Sequence, residues 1–84
     1  MEKSMIACVQ IRCARNALRW SVAELAELSG VSTSTIKRIE ASDGEPKSTK
    51  ANLAALKQTF ETAGIEFIGT PDDGPGIRIH KPRT

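Results

Sequence analysis

The chain has 84 residues, 39% of them hydrophobic, which is enough for one small domain with a thin core. Lys and Arg number 12 against 10 Asp and Glu, and the net charge of +2 excludes both a polybasic tail and an acidic solvating segment. The basic excess lies in residues 1–59, which carry nine basic and six acidic side chains, whereas residues 60–84 carry three and four. So short a chain is a poor candidate for a metabolic enzyme with a deep pocket.

Neither a membrane nor a metal is indicated by the composition. No apolar run approaches the roughly 20 residues that span a bilayer, and we expect no signal peptide in the N-terminal residues. Cys8 and Cys13 are five residues apart in a predicted helix, which turns their side chains about 140° away from each other. With His80 they supply too few ligands for a closed zinc site. We therefore expect reduced thiols, no metal, no cofactor and a cytoplasmic protein.

Two helices are predicted in the first 30 residues. The first covers residues 4–18, because small or apolar side chains recur there at helical spacing, at Ala7, Ile11, Ala14 and Leu18. The second covers residues 22–29, where Ser21 is a suitable N-cap and Glu24 completes a capping box. Trp20 precedes this cap at the position of a hydrophobic staple, and Gly30 ends the helix because it tolerates a positive φ.

A third and a fourth helix follow. Ser32 caps the third, residues 33–41, whose outward side chains include no acid and are Thr33, Ser34, Lys37 and Arg38. Ser48 or Thr49 caps the fourth, which reaches Ala63. After it, residues 65–68 and 77–81 alternate as short strands, and the Gly- and Pro-rich residues 69–76 form the turn or loop between them. Such a hairpin is marginal alone, so it must lean on the helices or pair with another subunit.

Residues 22–41 have the pattern of a helix-turn-helix, whose second helix enters the major groove of DNA. The motif needs a small residue where its helices touch, a glycine at the turn, a hydrophobic residue after it and two apolar anchors in the second helix. These five positions are filled by Ala26, Gly30, Val31, Ile36 and Ile39. Five matches at fixed spacing make the interpretation specific.

The sequence IRCARNALRWSVAELAELSGVSTSTIKRIEAS, which starts at Ile11, resembles the first three helices of the phage-repressor-like, XRE-type helix-turn-helix regulators. The likeness covers about residues 8–63. It implies a mainly α, four-helix, lambda-repressor-like DNA-binding domain over residues 1–64. The C-terminal strand extension over residues 65–84 is not part of the family's minimal domain, and we expect it to be a dimer or partner contact. The likeness further implies a transcriptional regulator, expected to be a repressor, that binds an inverted-repeat operator in double-stranded DNA as a homodimer.

The resemblance also implies roles for individual residues. Residues at the start and on the outer face of the third helix would read DNA: Ser32, Thr33, Ser34, Lys37 and Arg38. Independently of any family, an arginine can donate two hydrogen bonds to guanine O6 and N7, whereas the hydroxyls at the helix start are equally consistent with capping. Arg15 and Glu40 match a structural ion pair of the family. Candidate phosphate contacts are Arg12, Ser21, Lys47 and Lys50.

One departure from the family leaves an alternative open. A phosphate-binding glutamine commonly begins the second helix, and this chain has Val22 there. The rival interpretation is an antitoxin-like or adaptor module whose C-terminal strands add to a partner's sheet, and a regulatory protein partner would act at the same strands. The acid-free outer face of the third helix favours DNA. No nucleophile–base set, glycine-rich phosphate loop or metal cluster supports an enzyme.

Overall fold

The computed structural model describes residues 6–80, in which four helices precede a two-stranded antiparallel sheet. The elements in chain order are α1 (Cys8–Ala17), α2 (Val22–Ser29), α3 (Thr33–Glu40), α4 (Lys50–Thr62), β1 (Ile65–Thr70) and β2 (Asp73–Ile79). This is the mainly α architecture with a C-terminal strand pair that the sequence predicts. Within the described residues, none of the helices has the length and apolar character needed to cross a membrane.

Capping side chains begin α2 and α3 where the sequence predicts. The Ser21 hydroxyl accepts from the Glu24 amide at 3.0 Å, and the Glu24 carboxylate accepts from the Ser21 amide at 2.8 Å. Gly30 ends α2 with φ +78°, and the Ser32 hydroxyl accepts from the Thr35 amide at 3.2 Å to begin α3. These local interactions confirm the capping box, the turn glycine and the third N-cap.

The first helix begins later than predicted. Ala7 is extended, with φ −102° and ψ 161°, so the helix starts at Cys8, and the predicted start at Ser4 lies outside the described residues. The Gln10 side chain accepts from the Ala7 amide at 2.6 Å, and the Cys8 amide donates to the Gly44 carbonyl at 2.9 Å. These bonds give the first amides partners outside a helix, which is why the helical spacing is not realised at Ala7.

The hairpin is longer than predicted, and the proposed loop over residues 69–76 is wrong. The strands extend to Thr70 and back from Asp73, and only two residues remain in the turn. Gly69 and Gly74 have φ values of +76° and +62°, and the register shifts between Ile68 and Thr70. The glycines permit a bulged strand pair in which the two backbones come close, so a composition typical of loops serves a sheet instead.

The strand pair packs against the helices. Phe60 of α4 stacks on Trp20 with ring centroids 5.8 Å apart and meets Phe67 of β1 edge to face at 5.9 Å. Trp20 is therefore a packing residue, as its staple position indicates. The buried apolar cluster around these rings includes residues of all four helices and of β1: Ile6, Cys8, Ile11, Ala14, Leu25, Val31, Ile36, Ile39, Leu56, Phe60 and Ile65.

Gln10 connects the hairpin to α1 through side-chain hydrogen bonds. Its side chain is 1% exposed, and its amide nitrogen donates to the Ile68 carbonyl at 2.9 Å and to the Gly76 carbonyl at 2.8 Å. Every polar atom of the side chain is thus used, as a buried amide requires. The sequence interpretation missed this residue, although Gln10 lies three residues after Ala7 and four before Ala14, on the apolar stripe of α1.

Candidate nucleic-acid interface

The helix-turn-helix is formed by α2 and α3. Val31, 3% exposed, is buried directly after the Gly30 turn, and Ile36 and Ile39 anchor the inner face of α3 with at most 1% exposure. Because these side chains point into the core, the positions on the opposite side of α3 face outward, at Thr33, Ser34, Lys37 and Arg38. The fold therefore presents one polar helix face at the surface of the domain.

That outer face carries the predicted DNA-binding residues. Thr33, Ser34, Lys37 and Arg38 are all exposed, as is the N-cap Ser32. The Ser32 hydroxyl donates to the Thr35 hydroxyl at 2.9 Å and lies 3.3 Å from the Ser34 hydroxyl, so it is occupied with the helix start. In the described part of the chain, the side chains of Lys37 and Arg38 make no hydrogen bond or ion pair. Two cations on this face are therefore available to a ligand.

A bidentate ion pair holds α3 against α1. Arg15 Nε and Nη2 donate to the two carboxylate oxygens of Glu40 at 2.7 and 2.8 Å, and Arg15 Nη1 donates to the Trp20 carbonyl at 2.8 Å. The side chains are only 18% and 11% exposed. The hydrogen bond to Glu40 raises the pKa of Arg15 above its ordinary value. This network fixes the end of α3 and the α1–α2 connection relative to α1, and so sets the direction in which α3 points.

Arg12 caps the C-terminal end of α3. Its Nη1 atom donates to the Glu40 carbonyl at 2.6 Å and to the Ser42 carbonyl at 3.0 Å. These bonds satisfy carbonyl groups that a helix end leaves without partners. The guanidinium of this candidate phosphate contact is thus partly committed to the protein backbone.

The other candidate phosphate contacts differ in how free they are. The Ser21 hydroxyl accepts the α2 capping bond, whereas the Lys47 and Lys50 side chains are exposed and make no hydrogen bond or ion pair within residues 6–80. By contrast, Lys57 on α4 is paired with Glu61 at 2.8 Å. Within residues 6–80, these unpaired cations therefore lie on α3, just before α4 and at the first residue of α4.

The hairpin carries its own charged cluster. Glu66 accepts from Arg78 at 3.1 Å and lies 2.8 Å from the His80 ring nitrogen, and all three side chains are largely exposed. The hydrogen bond with His80, together with Arg78, lowers the pKa of Glu66. Over residues 6–80, no group of three or more His, Cys, Asp or Glu side chains is placed to hold a metal ion.

Comparison with known proteins identifies the motif. The helix-turn-helix family model matches residues 11–55, which include most of α1, all of α2 and α3 and the first part of α4. No curated protein and no solved structure shows significant similarity to the chain. Because the match covers more than half of the chain and contains the whole motif, the protein belongs to the XRE-type helix-turn-helix family of DNA-binding transcription regulators.

Proposed function

We propose that the protein is a repressor that binds a specific operator by placing α3 in the major groove. The observation that carries this proposal is the outer face of α3, which has no acid and presents two cations that have no side-chain partner among residues 6–80. Lys57 and Arg78, elsewhere on the surface, are paired with nearby carboxylates. A recognition helix instead needs its donors free for base edges and phosphates.

Arg38 is the proposed base-reading residue. Its guanidinium can donate to guanine O6 and N7 together, a contact worth about 1–3 kcal/mol of discrimination against other bases. Thr33 and Ser34, at the N-terminal end of α3, offer short hydroxyls for base edges or phosphates, and Ser32 and Lys37 complete the proposed set. Arg38 therefore determines which sequence is bound, while its neighbours add affinity.

Phosphate contacts would supply much of the affinity. Lys47 and Lys50 are the stronger candidates, because both side chains are exposed and unpaired within residues 6–80. Arg12 and Ser21 already make protein hydrogen bonds and would share those groups with DNA. Binding should weaken steeply with salt, since each neutralised phosphate releases condensed counterions.

A homodimer on an inverted repeat is the proposed binding form, with half-sites about 10 base pairs apart. A single short α3 reads few base pairs, and a second copy doubles the number read. Ile79 of β2 is 61% exposed and gives a second subunit an apolar side chain to cover. Bound at a promoter in the cytoplasm of a bacterial cell, such a dimer would exclude polymerase.

Sedimentation analysis should show that the wild-type protein is a dimer, and Ile79→Lys should shift the equilibrium toward the monomer. A wild-type protein that binds its operator as a monomer contradicts the proposed homodimer.

Arg38→Ala tests the DNA-reading role. The affinity of each subunit for its half-site in a duplex selected by the wild-type protein should fall about fivefold to 150-fold, the range equivalent to 1–3 kcal/mol, and preference for one base should relax. Lys57→Gln is the matched control, because it removes a cation that is already paired with Glu61. If the two variants bind DNA equally well, Arg38 does not read the operator.

A protein-interaction module is the second candidate, favoured by the exposed Ile79 and by a two-stranded sheet whose outer edges pair with no other strand among the described residues. An antitoxin-like or adaptor chain would add these strands to a partner's sheet. Under this alternative, Arg38→Ala leaves partner binding unchanged, and Ile79→Lys abolishes it. Under the repressor proposal, Arg38→Ala is the variant that loses function.

A further inference from the structure

Arg19 has a backbone conformation that an arginine rarely adopts. Its φ is +60°, and it is the one non-glycine residue with positive φ among residues 6–80. The left-handed region places Cβ of an L-residue too close to the carbonyl oxygen, so glycine is the usual occupant of such a position. Strain of this kind persists only where the surrounding structure imposes it, and it accumulates at functional positions.

The backbone around Arg19 is fixed on both sides. The Arg19 amide donates to the Asn16 carbonyl at 3.1 Å, and the next amide, of Trp20, donates to the Arg15 carbonyl at 3.1 Å. The Trp20 carbonyl accepts from the Arg15 guanidinium, which also binds Glu40 at the end of α3. The Arg19 position is therefore tied to the same network that orients the recognition helix.

Nothing within the described chain uses the Arg19 side chain. It is exposed and makes no hydrogen bond or ion pair within residues 6–80. Glu24, the next acid along the chain, is bonded to the Ser21 amide instead. The fold thus holds a strained residue whose charge has no internal partner, although glycine would satisfy the backbone without strain.

Arg19 also lies two residues before Val22, where α2 begins. In a docked helix-turn-helix, the first helix of the motif crosses the sugar–phosphate backbone while the second enters the groove. A cation next to the start of α2 would consequently lie near the phosphates that flank the bases read by α3. The Val22 side chain cannot hydrogen-bond a phosphate, so a side-chain contact to the DNA backbone at this end of α2 would come from a neighbour, Ser21 or Arg19.

We propose that Arg19 binds a backbone phosphate of the operator and sets affinity and salt dependence without reading sequence. The inference rests on the proposed DNA-binding function and adds a contact to it. The contact compensates for the apolar Val22 at the start of α2. Because the backbone at Arg19 is tied to the Arg15–Glu40 pair, the position of Arg19 relative to α3 is fixed.

Two substitutions separate charge from backbone strain. Arg19→Gly removes the cation and relieves the positive φ, so the melting temperature should rise while DNA affinity falls. One phosphate contact in each subunit makes two contacts per dimer, so the slope of log K against log salt should decrease in magnitude by about 1.8, and affinity at 0.15 M salt should fall about 30-fold. Arg19→Lys keeps both the charge and the strain, and its melting temperature and affinity should stay near those of the wild type. The opposite changes in stability and binding exclude unfolding as the cause.

Salt titrations of both variants should use a duplex selected by the wild-type protein and an unrelated mixed-sequence duplex. Equal losses on the two duplexes support a phosphate contact, whereas a loss on the selected duplex alone overturns it and indicates base reading. Wild-type affinity and salt slope for Arg19→Gly overturn the Arg19 proposal and leave the repressor proposal standing. Failure of the wild-type protein to select any duplex from a random pool refutes the repressor proposal, and the Arg19 contact with it.

Discussion

Replacing Gln10 by leucine should detach the hairpin from the helices. Leucine has a similar volume and favours a helix, so α1 keeps its shape while the polar atoms of the side chain disappear. Three hydrogen bonds are lost, to the Ala7 amide and to the Ile68 and Gly76 carbonyls, at 2.6, 2.9 and 2.8 Å. The sites are largely buried, which limits how far water can replace the glutamine.

The magnitude follows from those three bonds. At about 1 kcal/mol net for each, the free energy of unfolding falls by about 3 kcal/mol, and by up to about 6 kcal/mol where the three backbone groups stay buried without partners. The free energy of unfolding of a native domain is about 5–15 kcal/mol, so this one substitution removes a large share of the total. The hairpin amides should lose protection before the helices unfold.

Urea unfolding followed by the fluorescence of Trp20, the single tryptophan, measures the change. Gln58→Leu is the matched control, because the Gln58 side chain is exposed on α4 and makes one 3.4 Å bond to Thr62. The control should stay within about 0.5 kcal/mol of the wild type. Equal stabilities for the two variants, with hairpin amides equally protected from hydrogen exchange, would refute the role assigned to Gln10.

Three further predictions concern other parts of the molecule. Iodoacetamide should modify the exposed Cys13 in the native protein and Cys8 only on unfolding, because burial raises the pKa of Cys8 and shields it; equal rates by mass spectrometry contradict this. Gly69→Ala should destabilise the fold far more than Gly30→Ala by urea unfolding, although both have positive φ, because a Cβ at Gly69 collides with backbone and one at Gly30 meets nothing within 4 Å. Glu66 should stabilise the hairpin fully above its ordinary pKa, and this contribution should be lost as pH falls through the lowered folded-state pKa. The check is an NMR pH titration of the hairpin amides. If their chemical shifts change with pH identically in the wild type and in Glu66→Gln, the assignment to Glu66 is contradicted.

Local signals made the helix-turn-helix predictable. The Ser21 capping box and the Gly30 turn join residues at most four positions apart, so their chemistry is visible in the sequence. The spacing of the apolar residues likewise predicts the inner face of α3, and the positions on the opposite side of the helix are then predicted to be exposed. The predicted DNA-binding residues lie on that outer face because the period of a helix is fixed.

Long-range contacts could not be predicted in the same way. Gln10 bonds to carbonyls 58 and 66 residues away, and Arg12 bonds to a carbonyl 28 residues away, so neither role is encoded by local spacing. A glutamine within an apolar stripe was the available signal, and it indicates a buried partner without identifying it. Composition misled at residues 69–76, because glycines that permit a bulged strand pair resemble glycines that form a loop.

Selection of bound duplexes from a random DNA pool, with the wild-type protein at physiological salt, tests the central claim most directly. The proposed function predicts recovery of an inverted repeat with a guanine in each half-site and half-sites about 10 base pairs apart. The same selection with Arg38→Ala should lose the preference for that guanine. Recovery of only sequence-independent, salt-sensitive binding would contradict operator recognition by α3.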